Sequence, residues 1–261
     1  MLPLSVLYGL IVFTMILSSP QVGHSGFFFI LDFAILSWKV SFFRPIVDSF
    51  RFDIYIINNR YSMSIVKGKG VKGIVFFLGT NNTGKIEEYR ALLYPVKFVT
   101  PMELSIDFYV KETGKSYREN AKQKAVEGFR LTGMPAIADD SGLEIETLGG
   151  YPGIYSARQF SLEKILYRLK GKKGEQRKAR FVAVIALAYK GGVYFFTGVL
   201  EGLIAEEARG ESGFGYDPIF YLPQYNKTVA ELSFEQKNQI SHRGKAAVKL
   251  RDFILRRGLV D

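Results

Sequence analysis

From Met63 onward, short apolar runs alternate with segments of helical period. This alternation restricts the chain to a mixed α/β or α+β arrangement. Ile74 to Leu78 is an apolar run suited to a buried strand. Lys85 to Leu93 follows with helical spacing, placing Ile86, Tyr89, Leu92 and Leu93 on one side. Ser116 and Glu119 form the S-x-x-E signature of a helix start, ahead of a helix-forming stretch from Asn120 to Leu131. Gly133 and Pro135 stop that helix. Ala136-Ile137-Ala138 reads as a second buried strand that delivers Asp139 and Asp140 at its end. Phe181 to Tyr189 and Val193 to Leu200 read as two strands around a Gly191-Gly192 turn. Ser241 caps a last helix from about Lys245 to Leu255.

The first 62 residues follow a different pattern. Leu2 to Leu17 and Phe27 to Trp38 are apolar runs, each shorter than the roughly 20 residues a membrane-crossing helix needs. No Lys or Arg precedes the first run, so a secretory signal fits poorly. Three readings stand for residues 1–62: a membrane anchor, an interfacial hairpin, or sequence upstream of the true start, the last being favoured. Membrane association is expected only if this extension is part of the native protein. Residues 63–261 are read as the folded domain.

Composition closes several routes. The chain has no cysteine and only two histidines, His24 and His242. That removes disulfides, thiolate nucleophiles and Cys-based zinc sites. A metal would then use oxygen ligands or these two histidines, whose separation argues against a transition-metal site, and a carboxylate-bound Mg²⁺ stays open. The net charge of +10 favours a polyanionic partner, whether nucleic acid, nucleotide or anionic membrane, and a basic surface with no such partner is the alternative.

Three clusters carry candidate chemistry. Gly79-Thr80-Asn81-Asn82-Thr83-Gly84-Lys85 fits G-x-x-x-x-G-K, but Ile86 stands where a P-loop needs Ser or Thr for its metal. The physical content remains: a polar turn at a helix N-terminus offers backbone N–H groups to an anion, and Lys85 adds a positive charge. A strand–helix turn with a solvated lysine explains the same residues. Asp139-Asp140-Ser141-Gly142 sets two carboxylates beside a glycine. A carboxylate here can hold Mg²⁺ or accept a proton from water; an Asp/Ser turn bonded to its own backbone is the alternative. Glu112 and Glu119 are further acids, with bland roles as loop charge and cap partner. Gly213-Phe214-Gly215-Tyr216-Asp217-Pro218 puts aromatic rings and an acid in a glycine-rich turn, able to stack on a base. Downstream, Arg243 can donate to a keto oxygen on a base edge.

Taken in order, Thr80 to Lys85, Glu119-Asn120-Ala121, Ala138 to Leu143, Gly149 to Arg158, Gly213 to Phe220, Ala230-Glu231-Leu232, Lys237-Asn238 and Ser241-His242-Arg243 closely resemble the inosine triphosphate pyrophosphatase family. Its members are also called XTP/dITP diphosphatases. The resemblance covers Ile74 to Leu255 and nothing in Met1 to Ser62. It implies an α/β fold with a long mixed central sheet flanked by helices, in two lobes with a nucleotide cleft between them. It implies hydrolysis of ITP, dITP and XTP to the monophosphate and pyrophosphate, with Mg²⁺, in a cytoplasmic homodimer that has no nucleic-acid partner. By the same likeness Asp140 is the proton acceptor and a metal ligand. Thr80, Asn81, Asn82, Thr83, Gly84, Lys85, Ser141, Phe214, Gly215, Tyr216, Asp217, Lys237, His242 and Arg243 line the substrate. Two departures stand out. Lys111-Glu112 replaces a pair of acids found in relatives, leaving Glu112 as the second metal ligand. Asn81 replaces a frequent glycine, on the expectation that asparagine tolerates left-handed geometry.

Overall fold

The computed structural model describes residues 55–56, 64–65, 74–157 and 161–259. The apolar runs before residue 40 and Arg158 lie outside the described residues. The chain divides into two units, residues 1–73 and 74–261. In the first, β1 (Tyr55–Ile56) pairs antiparallel with β2 (Ser64–Ile65). Among the described residues, no helix is long and apolar enough to cross a membrane.

The second unit is built on a seven-stranded mixed sheet. Its strands are β3 (Phe76–Leu78), β4 (Phe98–Val99), β5 (Ala136–Ile145), β6 (Lys178–Tyr189), β7 (Gly192–Ile204), β8 (Phe220–Leu222) and β9 (Lys227–Thr228). They lie in the order β4-β3-β5-β6-β7-β8-β9. The β4, β3 and β5 pairings are parallel and the rest antiparallel. Parallel neighbours need crossovers, and helices supply them. The helix α1 (Thr83–Leu92) follows β3, and α2 (Tyr117–Thr132) precedes β5. The helices α3 (Leu162–Arg168), α4 (Phe234–Ile240) and α5 (His242–Arg256) complete the unit.

Local chemistry sets most boundaries. Asn82 caps α1 by accepting from Lys85 N, Ser116 caps α2 through Glu119 N, and Ser241 caps α5 through Gly244 N. Gly133 ends α2 at φ +68°, a left-handed turn that a β-carbon disfavours. Glu119 accepts from Lys115 N rather than from the cap residue itself. The β6–β7 turn is Lys190-Gly191, both at positive φ, one residue earlier than the expected Gly191-Gly192. Asn81 is absent from the positive-φ positions, so its place requires no left-handed backbone; instead its amide donates to Phe108 O at 2.9 Å.

The largest departure concerns β5. The expected strand ends at Ala138, but the observed one runs on to Ile145, with Asp139 to Gly142 in its middle, opposite Ile185 to Val182 of β6. The parallel pairing with β3 is what ends there: Leu78 pairs with Ile137, and the chain then leaves into the Gly79–Asn82 loop. Among the described residues, that edge of β5 has no strand neighbour until a bridge between Glu144 and Pro152. Gly142 is not a turn residue. A β-carbon there would sit 2.3 Å from Gly153 O, so glycine is needed for close approach of the 153–156 segment. One core cluster packs Phe76, Leu78 and Ile137 against α1 and α5; another packs Ala138, Val182 and Val184 against α2.

Candidate functional site

Alternation along β5 sends its two aspartates to opposite faces. Asp139 and Ser141 face α1 and α5, where Lys85 Nζ contacts both Asp139 oxygens at 3.0 and 2.9 Å. Arg243 approaches Asp139 with Nε at 3.4 Å and donates from Nη2 to Ser141 Oγ at 3.0 Å. Its Nη1 donates to Glu88 Oε2 at 2.6 Å. Glu88 also meets Lys237 Nζ at 2.8 Å, and Lys237 reaches Asp217 at 2.5 Å. A continuous buried chain of paired charges thus joins the loop after β3 to the Gly213–Asp217 turn. Burial alone would raise the Asp139 carboxyl, but Lys85 and Arg243 outweigh it and hold it well below the usual carboxylate range. Glu88 is likewise lowered, its burial overcome by Arg243 and Lys237.

Asp140 faces α2. Asn120 Nδ2 donates to its Oδ2 at 2.9 Å, and Lys124 Nζ lies 3.6 Å from its Oδ1. Lys124 also contacts Glu112 Oε1 at 2.8 Å. Burial raises the Asp140 carboxyl above its ordinary value, and Lys124 and Asn120 only partly offset this. Burial also works against charge on Lys124, but Asp140, Asp139 and Glu112 more than compensate, so the group stays an ammonium. Among the described residues no group of three or more His, Cys, Asp or Glu side chains is arranged to hold a metal. Two carboxylates nevertheless converge on one cationic point. That donor set fits Mg²⁺, which is commonly held by one or two carboxylates together with substrate phosphates and water.

The loop and the aromatic turn meet directly. A β-carbon on Gly84 would lie 2.7 Å from the Phe214 ring. Lys237 Nζ sits 4.6 Å and the Arg243 guanidinium 5.5 Å from the same ring centroid. Gly213 and Gly215 adopt positive φ, which folds Asp217 back to accept from Phe214 N at 2.8 Å. Asp217 is therefore committed to the turn and to Lys237. Tyr216 is buried in the core with its hydroxyl donating to Ser156 O, while the Phe214 ring is half-buried. His242 is buried and stacks on Phe181 at 4.8 Å between centroids. Burial, with Arg243 and Lys237 nearby, lowers its pKa well below the usual value, so it is neutral. Thr80 Oγ1 accepts from Asn82 N, and Thr83 begins α1.

Glu88, Asn120 and Lys124 were not among the sequence candidates. Each had a signal. Glu88 is one helical turn from Leu92, on the stripe that α1 buries. Asn120 and Lys124 are four apart on α2, beside buried Ala121 and Ala125. A charged or amide side chain next to an apolar stripe signals a partner inside the fold.

The fold and site together define an α/β protein with a polar, glycine-containing loop at a helix N-terminus and a carboxylate pair that shares one lysine. A family model described as the Ham1 family matches residues 76–253. The chain belongs to the Ham1 family. It is 47% identical over 187 residues to a dITP/XTP pyrophosphatase of Thermus thermophilus, covering 67% of this chain and 89% of that one. It is 44% identical over 184 residues to a dITP/XTP pyrophosphatase of Bacillus subtilis, covering 66% and 93%. Among solved structures, a HAM1 protein from Coxiella burnetii matches with a TM-score of 0.64 at 39% identity, over 70% of this chain and 99% of that one. The Staphylococcus aureus Ham1 protein matches with a TM-score of 0.64 at 40% identity, over the same shares.

Proposed function

We propose that this chain hydrolyses ITP, dITP and XTP to the nucleoside monophosphate and pyrophosphate, clearing deaminated purines from the nucleotide pool. The observation that carries the reading is the pair Asp140 and Glu112, meeting around one ammonium at the edge of β5 left open by β3. The names of the Thermus and Bacillus relatives support it.

In this reading the triphosphate lies against the Thr80–Lys85 loop, where the N-terminus of α1 and Lys85 attract its charge. The base stacks on Phe214, with the donors of Lys237 and Arg243 on the side of its 6-keto group. Adenine presents an amino donor there and leaves both sides unpaired. Asp140 orients a water and accepts its proton as the water oxygen bonds to the α-phosphorus. The bond from that phosphorus to the bridging oxygen breaks, and pyrophosphate leaves with the electron pair. The raised pKa of Asp140 suits a proton acceptor. Glu112 and Asp140 are the residues to hold Mg²⁺, which when bound neutralises phosphate charge. Ser141 and His242 line the same region.

The remaining parts of the reading are a folded domain over residues 63–261 in two lobes around a nucleotide cleft, a cytoplasmic homodimer, and no nucleic-acid partner. The activity is tested with a panel of ITP, dITP, XTP, GTP and ATP in Mg²⁺, assaying pyrophosphate and orthophosphate separately. Pyrophosphate from the first three, with ATP turned over poorly, is the expected outcome. Orthophosphate as the product, or ATP used as well as ITP, contradicts it.

A further inference from the structure

Lys124 does not stand apart from the carboxylates read above as metal ligands; it is placed between them. Its Nζ is 2.8 Å from Glu112 Oε1 and 3.6 Å from Asp140 Oδ1. Asn120, one helical turn earlier on α2, fixes the other Asp140 oxygen at 2.9 Å. Both α2 side chains therefore hold a single carboxylate in one orientation. The Lys124 side chain is largely buried, at 14% exposure, so its charge is directed at these acids and not at solvent. Asp140 is buried and Glu112 half-buried, and two carboxylates brought close together repel unless a cation lies with them.

We infer that Lys124 is an internal stand-in for the divalent cation: in the substrate-free protein its ammonium occupies the place between Glu112 and Asp140, and the cation enters only by displacing it. The inference rests on the reading of Glu112 and Asp140 as metal ligands. A lysine suits the role because its flexible four-carbon stem lets the charge withdraw without moving the helix. The ammonium keeps the ligands assembled and at the same time competes for them. Apparent affinity for a free divalent cation is reduced by the fraction of protein in which Lys124 still holds the acids. An arriving triphosphate gives the displaced ammonium other oxygens to pair with. Cation loading is thereby tied to nucleotide arrival.

The test needs no nucleotide and no turnover. Mn²⁺ alone is titrated into the full chain, and free Mn²⁺ is read by electron paramagnetic resonance. Lys124→Met removes the competing charge and keeps the side chain's length, so it binds Mn²⁺ about tenfold more tightly than the unaltered protein. Lys124→Arg retains the cation and stays near the unaltered affinity. Adding Glu112→Gln to Lys124→Met abolishes the gain. Equal or weaker binding by Lys124→Met, or a gain that survives Glu112→Gln, overturns the inference. Circular dichroism reports folding of each variant, and Lys124→Gln reads the same comparison if Lys124→Met does not fold. Failure of the functional reading is seen separately, in the products of the nucleotide panel, and leaves the Mn²⁺ comparison standing.

Discussion

Asp139 and Asp140 are adjacent in sequence, yet β5 places them in opposite electrostatic settings. Asp139 is gripped by Lys85 through both oxygens and approached by Arg243, and its carboxyl is held well below the usual range. Asp140 has an amide from Asn120 and an ammonium shared with Glu112, and burial raises its carboxyl. A carboxylate with dedicated cations is a structural tie, because its charge is already spent on its partners. A buried carboxylate with a shared cation remains able to take a proton or a metal. The contrast predicts that Asp139 matters more to stability and Asp140 more to proton or metal exchange.

Substituting each aspartate in turn is the strongest way to break this contrast. Asp140→Asn is expected to lower ITP turnover by about 10³-fold, the order a positioned general base contributes. Its urea midpoint should stay close to that of the unaltered protein, because a desolvated charge is removed. Asp139→Asn leaves Lys85 and Arg243 short of a partner inside the fold and is expected to destabilise by about 3–5 kcal/mol in urea denaturation. Equal effects of the two substitutions on both readouts would erase the distinction. Gly84→Ala sharpens it by disturbing only the contact between the loop and Phe214. The new β-carbon pushes on a half-buried ring, so KM for ITP should rise roughly tenfold with a smaller change in kcat. An unchanged KM means that the ring does not meet substrate.

The smallest effect concerns His242. Its folded pKa lies below the unfolded value, so the unfolded chain binds more protons once the pH falls below about 6.5. Stability from this group is full above that pH and declines as pH drops, by up to about 1.4 kcal/mol per pH unit. His242→Leu should flatten this slope between pH 6.5 and 5 in thermal melts. A slope unchanged by the substitution would place the acid sensitivity elsewhere.

The ends of α2 and the cap of α5 were legible because they are written locally, whereas the short helices α3 and α4 were not read from the sequence. Ser116 and Gly133 mark the ends of α2, and Ser241 the start of α5, with capping chemistry that needs no tertiary partner. The length of β5 was not legible, since Asp-Asp-Ser-Gly carries turn chemistry and strands disfavour aspartate. What overrides that preference is compensation from afar: Lys85 lies 54 residues from Asp139, and Arg243 lies 104 residues away. Glu88 was hidden for the same reason, its partner Arg243 being 155 residues distant. Single-sequence patterns report spacing along one element, while these ion pairs are made between elements. The motif order nevertheless brought Lys85, Asp140, Phe214 and Arg243 into view before any coordinates, although their division between two faces came only from the register of β5.

In the proposed reaction, water attacks the α-phosphorus of a purine triphosphate beside Asp140. Hydrolysis of ITP by the full chain with Mg²⁺ in ¹⁸O-labelled water, followed by mass spectrometry of the products, tests it directly. The label is predicted in inosine monophosphate, with the released pyrophosphate unlabelled. Label in pyrophosphate, or in orthophosphate, would contradict it.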